Sequence, residues 1–149
     1  MTTAQACEKL ASELKLLMFD DDDAASDVLH YTSWQAMEDF ENVMVGVMFA
    51  DGTGMAATSG IYLGTDAAET SMLLVKAFSN PTTVDAVGDW RFAEISAEQV
   101  AQAGAENSAV YTHFSAGITA DASGDEFAVV YIMKPGRFSH TGLTADVTA

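Results

Sequence analysis

Three histidines, one cysteine and 22 acidic side chains are the residues of this chain best suited to chemistry. His30, His113 and His140 stand far apart, and no two share the H-x-x-x-H spacing that puts two imidazoles on one helix face for a metal. His113 falls on the mixed face of an alternating segment, and a pocket there would use His113, Tyr111 and Trp90. Cys7 has no histidine near it in sequence and no second cysteine to pair with, which excludes intramolecular disulfides and cysteine-rich zinc sites. Its spacing with Leu10, Leu14 and Leu17 reads as a small core residue. No G-x-S-x-G nucleophile motif is present. Gly52-Thr53-Gly54 precedes a strand-like segment, whereas phosphate loops need glycines that open a helix and aim its amides at the anion. Asp20 to Asp23 with Asp27 gather carboxylates, but without the alternate-position acids, central glycine and closing glutamate of an EF-hand. Glu38, Asp39 and Glu41 are adjacent acids of the kind an acidic composition supplies by chance. The residue types therefore predict no catalytic set, no metal and no cofactor.

Composition narrows the partners. The 149 residues carry a formal charge of −16, with Lys9, Lys15, Lys76, Arg91, Lys134 and Arg137 as the whole cationic complement. Nucleic acid is excluded as a partner, because its affinity comes from Lys and Arg displacing phosphate counterions. Anionic membrane surfaces are disfavoured on the same ground, and no apolar run is long enough to span a bilayer. Glu8, Lys9, Glu13 and Lys15 interrupt the stretch where a signal peptide would need an unbroken apolar run, so a cytoplasmic site of synthesis is expected. With 49% apolar residues the chain is rich enough to fill a core and too rich for disorder.

These residues must be positioned by elements, and the periodicity predicts them. Thr3 as a cap, with Ala6, Cys7, Leu10, Leu14, Leu17 and Met18 at three-to-four spacing, predicts an N-terminal amphipathic helix that the aspartate run ends. Thr32 with Gln35 has capping-box spacing before a short amphipathic segment bearing Trp34, Met37 and Phe40. Val43, Val45, Val47 and Phe49 alternate with Met44, Gly46 and Met48, as in a strand covered on both faces, and Asp51-Gly52 predicts a hairpin returning through residues 55–63. Asp66 and Glu69 cap a second predicted helix through Met72, Leu73, Val75, Lys76 and Phe78. Residues 84–95 read as extended around Trp90 and Phe92, and Ser96 with Gln99 caps a two-turn helix that stops near Gly104. Residues 110–119 alternate as a long strand, and residues 127–133 are a wholly apolar strand ended by Lys134-Pro135-Gly136. There is no internal repeat and no linker. The expectation is one α+β domain over residues 1–149, a mainly antiparallel sheet with two or three helices packed to one side, the N-terminal helix among them.

Trp34, Phe40, Phe138 and His140 fall outside the strongest core patterns and, with Arg137, are the interface candidates. From Ala109 onward the order is an apolar strand, an Asp/Ala/Gly connection from Ile118 to Asp125 and a second apolar strand from Phe127 to Met133. A basic Gly turn from Lys134 to Phe138 and Leu143 complete it. This resembles the closing segment of the lambdoid-phage head-decoration proteins, which stud an icosahedral capsid, commonly as trimers. The resemblance does not extend upstream of residue 108, where that family opens with a flexible Thr/Pro-rich arm. It implies a non-enzymatic structural protein at the virion surface, binding a major capsid protein and copies of itself. Two other readings are open. Helix, hairpin and helix from Ser33 to Phe78 look like the opening of a roadblock or profilin-like dimeric scaffold module. A small ligand-binding protein or enzyme built around His113 is the other. Any self-contact is expected on weakly charged strands or termini and should tighten as salt screens the acids.

Overall fold

The computed structural model describes residues 14–20, 28–37, 40–51, 54–79, 88–120 and 126–135, with 14–20 given by backbone path and pairing alone. Nine strands and one helix occupy them: β1 Leu14–Asp20, β2 Leu29–Tyr31, β3 Gln35–Ala36, β4 Phe40–Asp51, β5 Gly60–Gly64, β6 Leu73–Ala77, β7 Trp90–Ser96, α1 Ala97–Asn107, β8 His113–Thr119 and β9 Glu126–Pro135. All ladders are antiparallel and nested. β1 pairs β9, β2 and β3 pair β8, β4 pairs β7, and β5 pairs β6. The long ribbon so formed folds over through two further ladders, β4 with β9 and β5 with β8. Two sheets result, with orders β1-β9-β4-β7 (sheet A) and β2-β8-β5-β6 with β3 beside β8 (sheet B). That nesting is a jelly roll.

Alternation explains why the sheets face each other. Val43, Val45 and Val47 of β4, Ile95 of β7, and Phe127, Val129 and Tyr131 of β9 are buried on the inner side of sheet A. Ile61 and Leu63 of β5, with Phe114, Ala116 and Ile118 of β8, meet them from sheet B, and all belong to one apolar cluster. The Phe114 and Tyr131 rings touch edge to face at 5.4 Å across the two layers.

Tyr131 also does polar work inside this core. Between β2 and β3 the edge strand carries one residue more than β8 opposite it, as the two registers show. Ladder pairing lapses there, and the Ala116 amide donates instead to the Tyr131 hydroxyl at 3.0 Å and to Thr32 Oγ1 at 3.2 Å. The Thr32 and Tyr131 hydroxyls bond each other, and Ser115 Oγ donates to the Thr32 carbonyl at 2.7 Å. A second buried patch works alike, with the Thr119 amide donating to Ser59 Oγ at 2.9 Å. Both patches satisfy backbone groups that would otherwise be stranded.

Several expectations need correction. The architecture is mostly antiparallel sheet with one helix among the described residues, not an α+β sheet with two or three helices. No N-terminal helix runs through Leu14, Leu17 and Met18, because residues 14–20 form β1 along β9. The same leucines also fit period two, and pairing with an apolar central strand decides between the periods. The second predicted helix is a loop followed by β6, whose β-branched Val75 suits a strand. Thr32 caps no helix but turns into the core, and Gln35 belongs to β3. β4 and β5 are not a hairpin, since they lie in opposite sheets, as do β8 and β9.

Helix α1 stands where expected. Ser96 Oγ accepts from the Gln99 amide at 3.3 Å while Gln99 Oε1 accepts from the Ser96 amide at 2.9 Å, the reciprocal pair of a capping box. It runs past Gly104 and ends at Ser108, whose left-handed backbone (φ 52°) closes the C-terminus on the Gly104 carbonyl. Gly104 is needed for packing, because a Cβ there would lie 2.7 Å from the Ala109 carbonyl oxygen.

Candidate functional site

Three surfaces gather residue types that bind things. The first is the outer face of sheet A, whose register places three rows across all four strands. They are Leu14, Ile132, Met44 and Glu94; Leu16, Val130, Gly46 and Phe92; and Met18, Ala128, Met48 and Trp90. Glu94 is the one charged residue among these rows. An antiparallel sheet with one face in water normally alternates apolar inside with polar outside. Here β4 and β9 are apolar on both parities, and Trp90 and Phe92 are 38% and 48% exposed. Their rings stack at 5.7 Å over Gly46, where a Cβ would come within 2.6 Å of the Phe92 ring. Beyond the rows, Asp20, Glu126 and Asp51 align at one end. Lys134 stands at the other end and is ion-paired with Glu41 at 2.9 Å.

The second surface is an aromatic cluster outside sheet B. Tyr31 lies 5.4 Å from Trp34 and 5.1 Å, edge on, from Tyr62. The rings need the glycines beneath them: a Cβ on Gly117 would meet the Tyr62 ring at 2.6 Å, and one on Gly64 would meet Trp34 at 2.8 Å. The Trp34 indole nitrogen is buried with no hydrogen-bond partner among the described residues. Glu69 and Ser71, in the adjoining loop, hold left-handed backbones (φ 58° and 52°), a conformation that costs non-glycine residues energy.

Burial, then the neighbouring Tyr62 and Glu69, push the Tyr31 phenol from its ordinary 10.0 up to about 12. The unfolded chain therefore ionises first as pH rises. Stability from this phenol is intact below about pH 10 and is lost between there and about pH 12. Tyrosinate absorbance should show a phenol titrating late, and the denaturant midpoint should fall as pH rises through that window. A chain that keeps its fold while all its tyrosines titrate near their ordinary value would contradict this environment.

The third is a groove of about 390 Å³ between β3, the start of α1 and residues 111–113, lined by Met37, Phe40, Val100, Tyr111 and His113 among others. Thr112 Oγ1 donates to the Thr65 carbonyl at 2.9 Å, which commits its single proton. The His113 Nδ1 at 2.8 Å from the same oxygen must then be the donor, leaving the lone pair on Nε2. Nitrogen-15 shifts of neutral His113 should report the Nδ1–H tautomer, and Thr112→Val should release it. A dominant Nε2–H form in the unsubstituted protein would refute the assignment.

The sequence-predicted residues distribute as follows. Trp34 is half-buried in the aromatic cluster, and Phe40 is half-buried against the core at the groove. Arg137, Phe138 and His140 lie outside the described residues, as do Cys7, Asp27 and Asp21 to Asp23. Tyr111 and His113 share the groove as expected, but Trp90 is on the far side of the other sheet. Tyr31, Tyr62 and the outward residues of β4 and β9 were not singled out by sequence. For β4 and β9 the signal is apolar content on both parities, which in sequence alone reads as burial on both faces. Among the described residues no three His, Cys, Asp or Glu side chains are grouped to hold a metal ion. No helix among them is long and apolar enough to cross a membrane. Comparison with models of protein families, with curated proteins and with solved structures gives no match.

Proposed function

We propose that this chain is a non-enzymatic structural protein of a phage or phage-like particle, binding the capsid surface and copies of itself. The observation that carries the reading is the apolar outer face of sheet A on a chain of charge −16. Trp90 and Phe92 are exposed on it beside half-buried Met44, Met48, Val130 and Ile132; exposed aromatics on an apolar face mark an interaction site, and an acidic coat elsewhere keeps particles apart. Two weaker supports point the same way. The jelly roll is a fold used by viral capsid domains, among other classes, which is an analogy of fold alone. The order of elements from Ala109 to Leu143 resembles the head-decoration family, although its two strands lie in different sheets. The helix, hairpin and helix that suggested a scaffold module are not what residues 33–78 form.

Co-sedimentation with expanded empty capsids tests the reading. Binding at a fixed number of copies per capsid subunit is expected, and a protein that stays in the supernatant at every concentration would end it. A second reading keeps the His113 groove as a small-ligand site. An apolar concavity with one oriented imidazole nitrogen suits a compact ligand that offers a hydrogen-bond donor.

A further inference from the structure

We infer that the outer face of sheet A is where two copies of this chain meet, packed sheet on sheet and related by a two-fold axis that runs across the strands. The proposal deepens the assembly reading above and rests on it for the crowding that a weak contact needs. Charge selects the occupant. Two copies at −16 repel wherever acidic loops approach, and this face has Glu94 as the one charge in its three rows. A basic partner would find little to hold there, whereas a second apolar sheet face fits it by pairing sheets about 10 Å apart.

The ends of the face set the orientation. Asp20, Glu126 and Asp51 align at one end and Lys134 stands at the other. An axis along the strands would bring the two acidic ends together. An axis across them lays the acidic end of each copy on its neighbour's Lys134 end, where the Lys134–Glu41 pair is neutral overall and so does not repel it, with β9 over β9. Such an isologous contact is self-complementary and closed. Four strands and three rows give a footprint of roughly 20 by 20 Å, about half the ~800 Å² that a stable complex covers on each partner. The contact is therefore weak in dilute solution and counts where copies are held close together, as on a particle.

Sedimentation equilibrium over a range of protein and salt concentrations tests this. The unsubstituted chain should form dimers that tighten as salt rises. Trp90→Ser with Phe92→Ser should weaken dimerisation about tenfold or more while circular dichroism at the assay temperature keeps the parent's spectrum, since neither side chain belongs to the core between the sheets. A second pair of variants addresses orientation. Lys134→Glu should weaken the dimer, and adding Glu126→Lys to it should restore the association. A chain that is monomeric under all conditions, or a dimer indifferent to both the aromatic and the charge substitutions, would overturn the proposal. Capsid co-sedimentation separates it from the assembly reading. Dimers that respond to these variants, from a protein that binds no capsid, would sink the particle and leave the contact standing.

Discussion

Replacing Tyr131 by alanine is expected to cost about 3–5 kcal/mol, lowering the Tm by about 10 °C or more. Tyr131 is fully buried, and its ring fills the space between the sheets against Phe114. Its hydroxyl also replaces the missing ladder partner of the Ala116 amide. Tyr131→Phe separates the two contributions, because it keeps the ring and removes the acceptor. About 1 kcal/mol is expected for that change, since Thr32 Oγ1 remains 3.2 Å from the same amide. Thr32→Val alone should likewise be modest, and the double variant should exceed the sum, because the amide then has neither acceptor. Chemical denaturation of the four proteins measures that coupling. Strict additivity would mean that the buried network is not what spans the gap between β2 and β3.

Gly60→Ala is the second large effect, and it comes from overcrowding. A Cβ on Gly60 would run into the Lys76 carbonyl oxygen and lie 2.8 Å from the Ala77 Cα. Both are backbone atoms of the neighbouring strand, so nothing can swing aside. The β5–β6 ladder, already irregular between Ile61 and Tyr62, must open. A loss of about 3 kcal/mol or more is expected, at the upper end for inserted core atoms. Gly46→Ala is the control. There the clash is with the exposed Phe92 ring, which can move, so the change should cost far less. Thermal unfolding of both variants gives the comparison, and equal losses would contradict the packing described for β5 and β6.

These residues also show how much was legible in the sequence. The strands around Val43 to Phe49 and Phe127 to Met133 could be read because alternation and apolar runs are local signals, and so could β8, although the strand expected from Val110 begins only at His113 and Val110 is exposed. The Ser96 and Gln99 capping box is equally local, and it stands in the structure with both hydrogen bonds made. What failed was long-range. β1 is assigned by its partner β9, with Leu14 opposite Ile132, and no local pattern holds that information. The leucines of β1 satisfy a helical period and a strand period alike. The same holds for residues 66–78, where a capping-box spacing is in fact a loop with an aspartate turn: Asp66 Oδ1 accepts from the Ala68 amide at 2.8 Å.

The candidate surfaces follow the same division. His113 could be singled out because it is the histidine on an alternating strand, and the groove beside it is there. The sequence groups Trp90 with His113 and Tyr111 in one pocket because it does not say which sheet a strand joins. The outer face of sheet A was hidden for a related reason. A strand apolar on both sides reads as one buried on both sides, and only the finished topology shows that β4 and β9 have a partner sheet on one side. A chain this acidic nevertheless keeps these strand positions almost free of charge.

Oxidative footprinting of Trp90, Met44 and Met48, carried out as the protein is concentrated at low and at high salt, tests that claim most directly. Trp90 and both methionines should become protected as the solution mass rises, and more so at high salt, while the distant Met72, which is 40% exposed, stays reactive. A rise in mass that leaves Trp90 and the β4 methionines as reactive as in the dilute protein would contradict the assignment of sheet A as the surface through which this chain assembles.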